Sequence, residues 1–197
     1  MLHGSPQIYP HYKAIFIHVP KVAGTSIEKI LKAHPRENYG GHSTALGIKK
    51  HYPKEFNEYY KFSFVRNPYD RMSSAYFYLK NSPLNKALQN HNIKDSIDIN
   101  DYIENYFLND HILHLWPQYK FITDNDIILV DDIFRYENLE EDWGKVCNKL
   151  KVSLKLPYFN PSKKDLFEYT PNSIKTINEF YKKDFKLFGY EIKSNYI

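Results

Sequence analysis

One cysteine, Cys147, stands in 197 residues, which excludes an internal disulfide and a cysteine-built metal cluster. No apolar run approaches the roughly 20 residues that a membrane helix requires, and the opening MLHGSPQIYPHYK has no signal-peptide core. The expectation is a cytoplasmic protein without a membrane anchor. Positive charge is also limited: the net charge is +4 and the pI about 8.8. That surplus suits a small anionic ligand but falls short of the basic stripe of a dedicated nucleic-acid binder, so no nucleic-acid partner is expected. Arginine is scarce, with Arg36, Arg66, Arg71 and Arg135 the four among 27 basic residues. Each arginine is therefore a candidate for forked recognition of phosphate or carboxylate, which lysine cannot imitate. An AT-rich genome, which favours Lys, Asn, Tyr and Ile codons, explains the same scarcity.

What is present is a globular composition, 42% hydrophobic and 25% charged, long enough for one domain spanning 1–197. The run Ala14 to Val19 is apolar and β-branched, as a buried parallel strand is. It enters Pro20-Lys21-Val22-Ala23-Gly24-Thr25-Ser26 and then a helical spacing at Ile27, Ile30 and Leu31. A second strand–loop–helix unit runs from Lys61 to Val65, through Arg66-Asn67-Pro68-Tyr69-Asp70-Arg71, into Met72 to Lys80. Ile127 to Val130 reads as a third strand, and Ile99 to Leu108, Glu140 to Leu150 and Ser173 to Phe185 as helices. A loop with three prolines spans 157–171. Strands alternating with helices predict an α/β fold with a mainly parallel central β-sheet flanked by helices.

The first loop has the parts of a phosphate cradle. Small residues at Ala23 and Gly24 let backbone N–H groups approach an anion, and the loop feeds the positive end of a helix. Lys21 brings a mobile full charge, and Thr25 and Ser26 bring hydroxyl donors. It is not a Walker A loop, because Lys21 precedes Gly24 where that motif places lysine after its second glycine. A glycine turn with a Ser or Thr cap would look the same.

The second unit strengthens the anion reading. Arg66 ends a strand at the edge where open α/β sheets bind ligands, and Ser74 follows about two helical turns on. A salt bridge from Arg66 to Asp70 is the structural alternative. Two strand-end anion sites fit a ligand with phosphates at two separated points, such as a nucleotide bisphosphate.

Phe16-Ile17-His18-Val19-Pro20-Lys21-Val22-Ala23-Gly24-Thr25-Ser26 and Phe64-Val65-Arg66-Asn67-Pro68-Tyr69-Asp70-Arg71-Met72-Ser73-Ser74-Ala75-Tyr76 together resemble the sulfotransferases, above all the carbohydrate-type ones. Phe134 to Leu139, Tyr181 to Phe185 and Phe188-Gly189-Tyr190 extend the likeness over about residues 14–190. The resemblance implies a P-loop-like single domain and 3′-phosphoadenosine 5′-phosphosulfate as donor, with 3′,5′-adenosine bisphosphate as product. It implies that Lys21, Val22, Ala23, Gly24, Thr25 and Ser26 hold the 5′-phosphosulfate, and Arg66 with Ser74 the 3′-phosphate.

Sulfuryl transfer is an in-line displacement that needs positioning and charge stabilisation on the departing phosphate oxygen. Lys21 is the candidate for that charge, and no metal is required. A hydroxyl acceptor, on a carbohydrate or small metabolite, gains from a base titrating near neutrality. His42, in the glycine-loosened Tyr39-Gly40-Gly41-His42-Ser43-Thr44, is the first candidate. Asp124 and Glu137 stay open, and His18 reads as a packed histidine. His111 and His114, near Trp116-Pro117-Gln118, are the next candidates for the base, and His114 and Gln118 are the candidates for acceptor binding. Tyr102, Tyr106 and Trp116 are candidates to stack on a sugar ring. His111 and His114 lack the third ligand a metal would need. The competing readings are a kinase on the same sheet and a catalytically inactive nucleotide-binding scaffold. Oligomeric state is not legible.

Overall fold

The computed structural model describes residues 7–31, 41–81, 97–109, 111–156 and 167–194. Their contacts separate into two compact units, one from 1–66 with 118–160 and the other from 67–117 with 161–197.

In the first unit, β1 (Ile8–Tyr9) and β2 (Ala14–Ile17) pair antiparallel around a 3₁₀ turn, Pro10–Tyr12, that ends on left-handed Lys13 at φ 46°. All four residues of β2 are fully buried, which is why the sequence there is a continuous apolar run rather than an alternation. β3 (Tyr60–Val65) lies parallel to β2 with Phe62 opposite Phe16. The rings of that pair stack at 5.2 Å between centroids, adding to area burial.

The next strand of the sheet is not Ile127 to Val130, as the sequence suggests. β4 (Thr123–Asp124) and β5 (Ile127–Ile128) form a small antiparallel hairpin of their own. Its two turn residues, Asn125 and Asp126, both have left-handed φ, 45° and 72°, as a tight hairpin of the favoured twist demands. Ile127 and Ile128 are exposed. The strand that joins the sheet is β6 (Asp132–Arg135), parallel to β3 with Phe134 opposite Phe64. The sheet order is therefore β1-β2-β3-β6, mixed only at the β1 edge. The second pair of facing aromatics, Phe64 and Phe134, has its centroids 5.4 Å apart.

α1 (Gly24–Leu31) follows β2 and buries Ile27, Glu28 and Leu31. α2 (Ala45–His51) begins at Thr44, whose Oγ1 accepts the Gly47 N–H at 3.0 Å, a side-chain cap. α3 (Pro53–Glu58) leads into β3.

The second unit opens with α4 (Pro68–Asn81), which starts on a proline whose missing N–H costs a helix nothing there. α5 (Ile99–Asn105) is capped by Asp98, which accepts the Asn100 and Asp101 amides at 2.8 and 2.9 Å. The one-turn α6 (Tyr119–Ile122) and α7 (Leu139–Leu150) belong to the first unit, and α7 buries Trp143 and Val146. The expected helix over 173–185 is two helices, α8 (Pro171–Phe180) and α9 (Lys182–Phe188), broken at Tyr181. The core of the second unit joins α4, α5, α8 and α9 around Tyr76, Tyr102, Phe107, Ile177, Tyr181 and Phe185. The three-proline loop falls mostly outside the described residues.

Candidate functional site

β2 ends at Ile17 and α1 begins at Gly24, and the six residues between them make the cradle. Lys21 and Ala23 both hold left-handed backbone, φ 72° and 65°, although neither is glycine. Each such residue costs on the order of 1–3 kcal/mol and persists only where its surroundings impose it. With Val22 between them at negative φ, handedness alternates along the loop. Alternation of this kind turns successive N–H groups toward one side and forms a concavity for an anion. The amides of the first helical turn, which a helix cannot use itself, begin where the concavity ends. Ala23 anchors the start of α1 by accepting the Ser26 and Ile27 amides at 3.0 and 3.3 Å. Thr25 is exposed, Ser26 half-buried and Val22 buried.

Gly24 is needed for a reason the sequence did not reveal. A Cβ there would lie 1.9 Å from Nε2 of His18. The glycine makes room for a buried imidazole rather than supplying unusual backbone. His18 in turn donates from Nδ1 to Oε1 of Glu28 at 2.7 Å, inside the first turns of α1. It is the packed, hydrogen-bonded histidine its position suggested. Glu28 was missed, and nothing in the one-dimensional pattern marks it apart from its place on the apolar face of α1.

Lys21 is half-buried. Burial first, and the positive charge of Arg66 second, pull its ammonium down to about 8. A lysine held this way gains when an anion arrives. Arg66 reaches the Lys21 carbonyl through a long hydrogen bond from Nη1 at 3.4 Å. Its guanidinium carbon lies 4.2 Å from the centroid of the Tyr136 ring, and its Nε is buried without a hydrogen-bond partner. Arg71 Nε is buried without a partner as well; what sets Arg66 apart is the Lys21 ammonium beside it.

Gln118 is fully buried. Its Oε1 accepts the Arg66 N–H at 2.9 Å and its Nε2 donates to the Arg66 carbonyl at 2.8 Å. The residue expected at an acceptor thus clamps the backbone of Arg66. His42 is half-buried just before α2. Its Nδ1 donates to the His18 carbonyl at 3.0 Å, and a carbonyl can only accept, so the neutral imidazole carries its lone pair on Nε2. Asp124 is half-buried in the β4–β5 hairpin and Glu137 is exposed in the turn after β6.

Ser74 and His114 belong to the second unit. Ser74 is buried on α4. The His114 carbonyl accepts from Nη1 of Arg71 at 3.0 Å, and the Trp116 carbonyl accepts from Nη2 at 2.7 Å. Both terminal nitrogens of Arg71 are therefore spent on the backbone of that loop. The His114 ring lies 5.1 Å from that of Tyr78. Tyr102 has no exposed surface, so the expectation that it stacks on a sugar is corrected: it is core. Among the described residues no three His, Cys, Asp or Glu side chains group as a metal site does. Among the same residues no helix is long and apolar enough to cross a membrane.

The model of the sulfotransferase family matches residues 7–191. The chain belongs to the sulfotransferase family. Its mixed α/β architecture with a mainly parallel sheet is the P-loop-like arrangement of that family, and the strand–cradle–helix at Lys21 to Ser26 sits inside the matched span. This sulfotransferase-family chain is also 33% identical over 97 residues to an uncharacterised protein of Archaeoglobus fulgidus, covering 49% of this chain and 72% of that one. No solved structure matches it.

Proposed function

We propose that the protein transfers a sulfuryl group from 3′-phosphoadenosine 5′-phosphosulfate to a hydroxyl on a carbohydrate or small metabolite. The observation that carries this reading is the pairing, in one unit, of a left-handed cradle at Lys21 and Ala23 with an Arg66 guanidinium whose buried Nε has no partner. The donor, when bound, supplies the sulfuryl group and a bisphosphate leaving group.

The chain's own residues have separable tasks. Lys21, with the cradle amides and the Thr25 and Ser26 hydroxyls, binds the 5′ end and stabilises negative charge on the departing oxygen. Arg66, held by Gln118 and Tyr136, binds the 3′-phosphate through its fork. His42, with its proton on Nδ1, takes the acceptor proton at Nε2. The Lys21 charge is poised for this: burial lowers its proton affinity, so it binds an anion more strongly than a fully solvated lysine would.

Screening a panel of sugar and small-metabolite hydroxyls with the phosphosulfate donor tests the reading directly. Sulfated product that disappears in Lys21→Ala supports it, and a chain that binds the bisphosphate yet turns over nothing on the panel favours the scaffold.

A further inference from the structure

β2 stops pairing at Ile17, and His18 turns the chain out of the sheet: the Val19 N–H donates back to the Ile17 carbonyl at 3.1 Å, a tight turn centred on His18. Three contacts then meet on this one residue. Its carbonyl, freed from the sheet, accepts Nδ1–H of His42 at 3.0 Å. Its ring donates from Nδ1 to Glu28 Oε1 at 2.7 Å, with the two side chains 5% and 0% exposed. The opposite edge of the ring rests on Gly24, so closely that no Cβ fits. The His18 and His42 ring centroids are 4.3 Å apart.

Glu28 shares the buried face with Ile27 and Leu31, where a leucine would pack without the cost of desolvating a charge. Through Oε1 the carboxylate fixes one rotation of the His18 ring. Gly24 admits that rotation, and His42 lies against the result through both the ring and the carbonyl. A carboxylate that orients an imidazole by its Nδ1–H is a known device for fixing ring and tautomer. Here the device acts one histidine removed, through His18 to His42.

We propose that Glu28 and His18 are positioning residues that keep His42 in a single orientation with its proton on Nδ1 and its lone pair on Nε2. The inference rests on the reading of His42 as the base. Remove the carboxylate oxygen and the His18 Nδ1–H is left buried without an acceptor. The ring then turns to find one, and His42 loses the ring surface that holds its own imidazole against the His18 carbonyl.

The test is nitrogen-15 NMR of the histidine rings in the full chain, with His42 assigned by its loss in His42→Ala. Glu28→Gln keeps an oxygen acceptor, and Glu28→Leu removes it while keeping bulk. The wild type and Glu28→Gln are expected to show His42 as one Nδ1–H tautomer, and Glu28→Leu an average of two. Affinity for 3′,5′-adenosine bisphosphate, the probe for the cradle, should stay within about threefold in both variants. A Glu28→Leu protein with the wild-type His42 signals overturns the proposal. Should that variant fail to fold, the wild type alone decides: a slowly exchanging His18 Nδ1–H and ring-to-ring contacts between His18 and His42 are expected, and their absence overturns it. Absence of bisphosphate binding by the wild type contradicts the donor reading instead, so the two failures are told apart.

Discussion

The guanidinium carbon of Arg66 stands 4.2 Å from the Tyr136 ring centroid while Gln118 holds the Arg66 backbone from both sides, at 2.9 and 2.8 Å. An arginine whose guanidinium lies on Tyr136 and reaches the Lys21 carbonyl has little rotamer entropy left to lose when a phosphate arrives. Arg66→Ala should therefore weaken 3′,5′-adenosine bisphosphate binding by on the order of 2 kcal/mol or more. Arg66→Lys should recover only a part, because a lysine has neither fork nor flat face. Calorimetry reads both, and an affinity unchanged in Arg66→Ala removes Arg66 from the site.

His42→Ala should separate chemistry from binding. On any acceptor that the wild type sulfates, turnover is expected to fall by about 10²- to 10⁴-fold, the usual worth of a general base, while bisphosphate affinity holds. Turnover that survives places the base elsewhere, and His114 is the next residue to change.

Lys21 gives the site a pH signature. Its ammonium titrates at about 8 in the free protein, and a bound anion raises that value because it favours the charged form. Below pH 8 the lysine is already protonated and binding takes up no proton there. Above pH 8 the free lysine is neutral, binding must draw a proton, and affinity falls by up to about tenfold per pH unit. Calorimetry at pH 8.5 in two buffers of different ionisation enthalpy should detect this proton uptake. Lys21→Met should abolish the uptake along with most of the affinity.

Gly24→Ala should destabilise the fold through His18. A Cβ placed 1.9 Å from Nε2 forces the ring away from Glu28, at a cost of about 2–3 kcal/mol. The double variant with His18→Ala should lose less stability than the two single changes added together, because the clash is gone. Urea unfolding of the four proteins completes the cycle, and strict additivity would show that Gly24 serves something other than His18.

The sequence was most informative where function and fold use consecutive residues. The apolar run at 14–17, the cradle that follows and the strand ending at Arg66 are contiguous, so their pattern survives in one dimension. It was least informative where the reason for a residue lies across space. Gly24 answers to His18 six residues earlier, and the amide of Gln118 answers to a backbone 52 residues away. Arg71, one of only four arginines, spends both terminal nitrogens on the carbonyls of a loop in its own unit, at His114 and Trp116. The third strand misled for another reason. Ile127 to Val130 has a stronger β pattern than Asp132 to Arg135, yet the left-handed pair Asn125 and Asp126 folds the former into an exposed hairpin. The parallel ladder falls to the less apolar segment, where Phe134 meets Phe64.

The central claim is that this chain holds a nucleotide with phosphates at two points, and calorimetric titration with 3′,5′-adenosine bisphosphate, with ATP and Mg²⁺ run alongside, tests it most directly. Binding of the bisphosphate at micromolar strength or tighter, with ATP weak, is the predicted result. No binding of the bisphosphate would contradict the account, and would leave the cradle and Arg66 as parts of the fold alone.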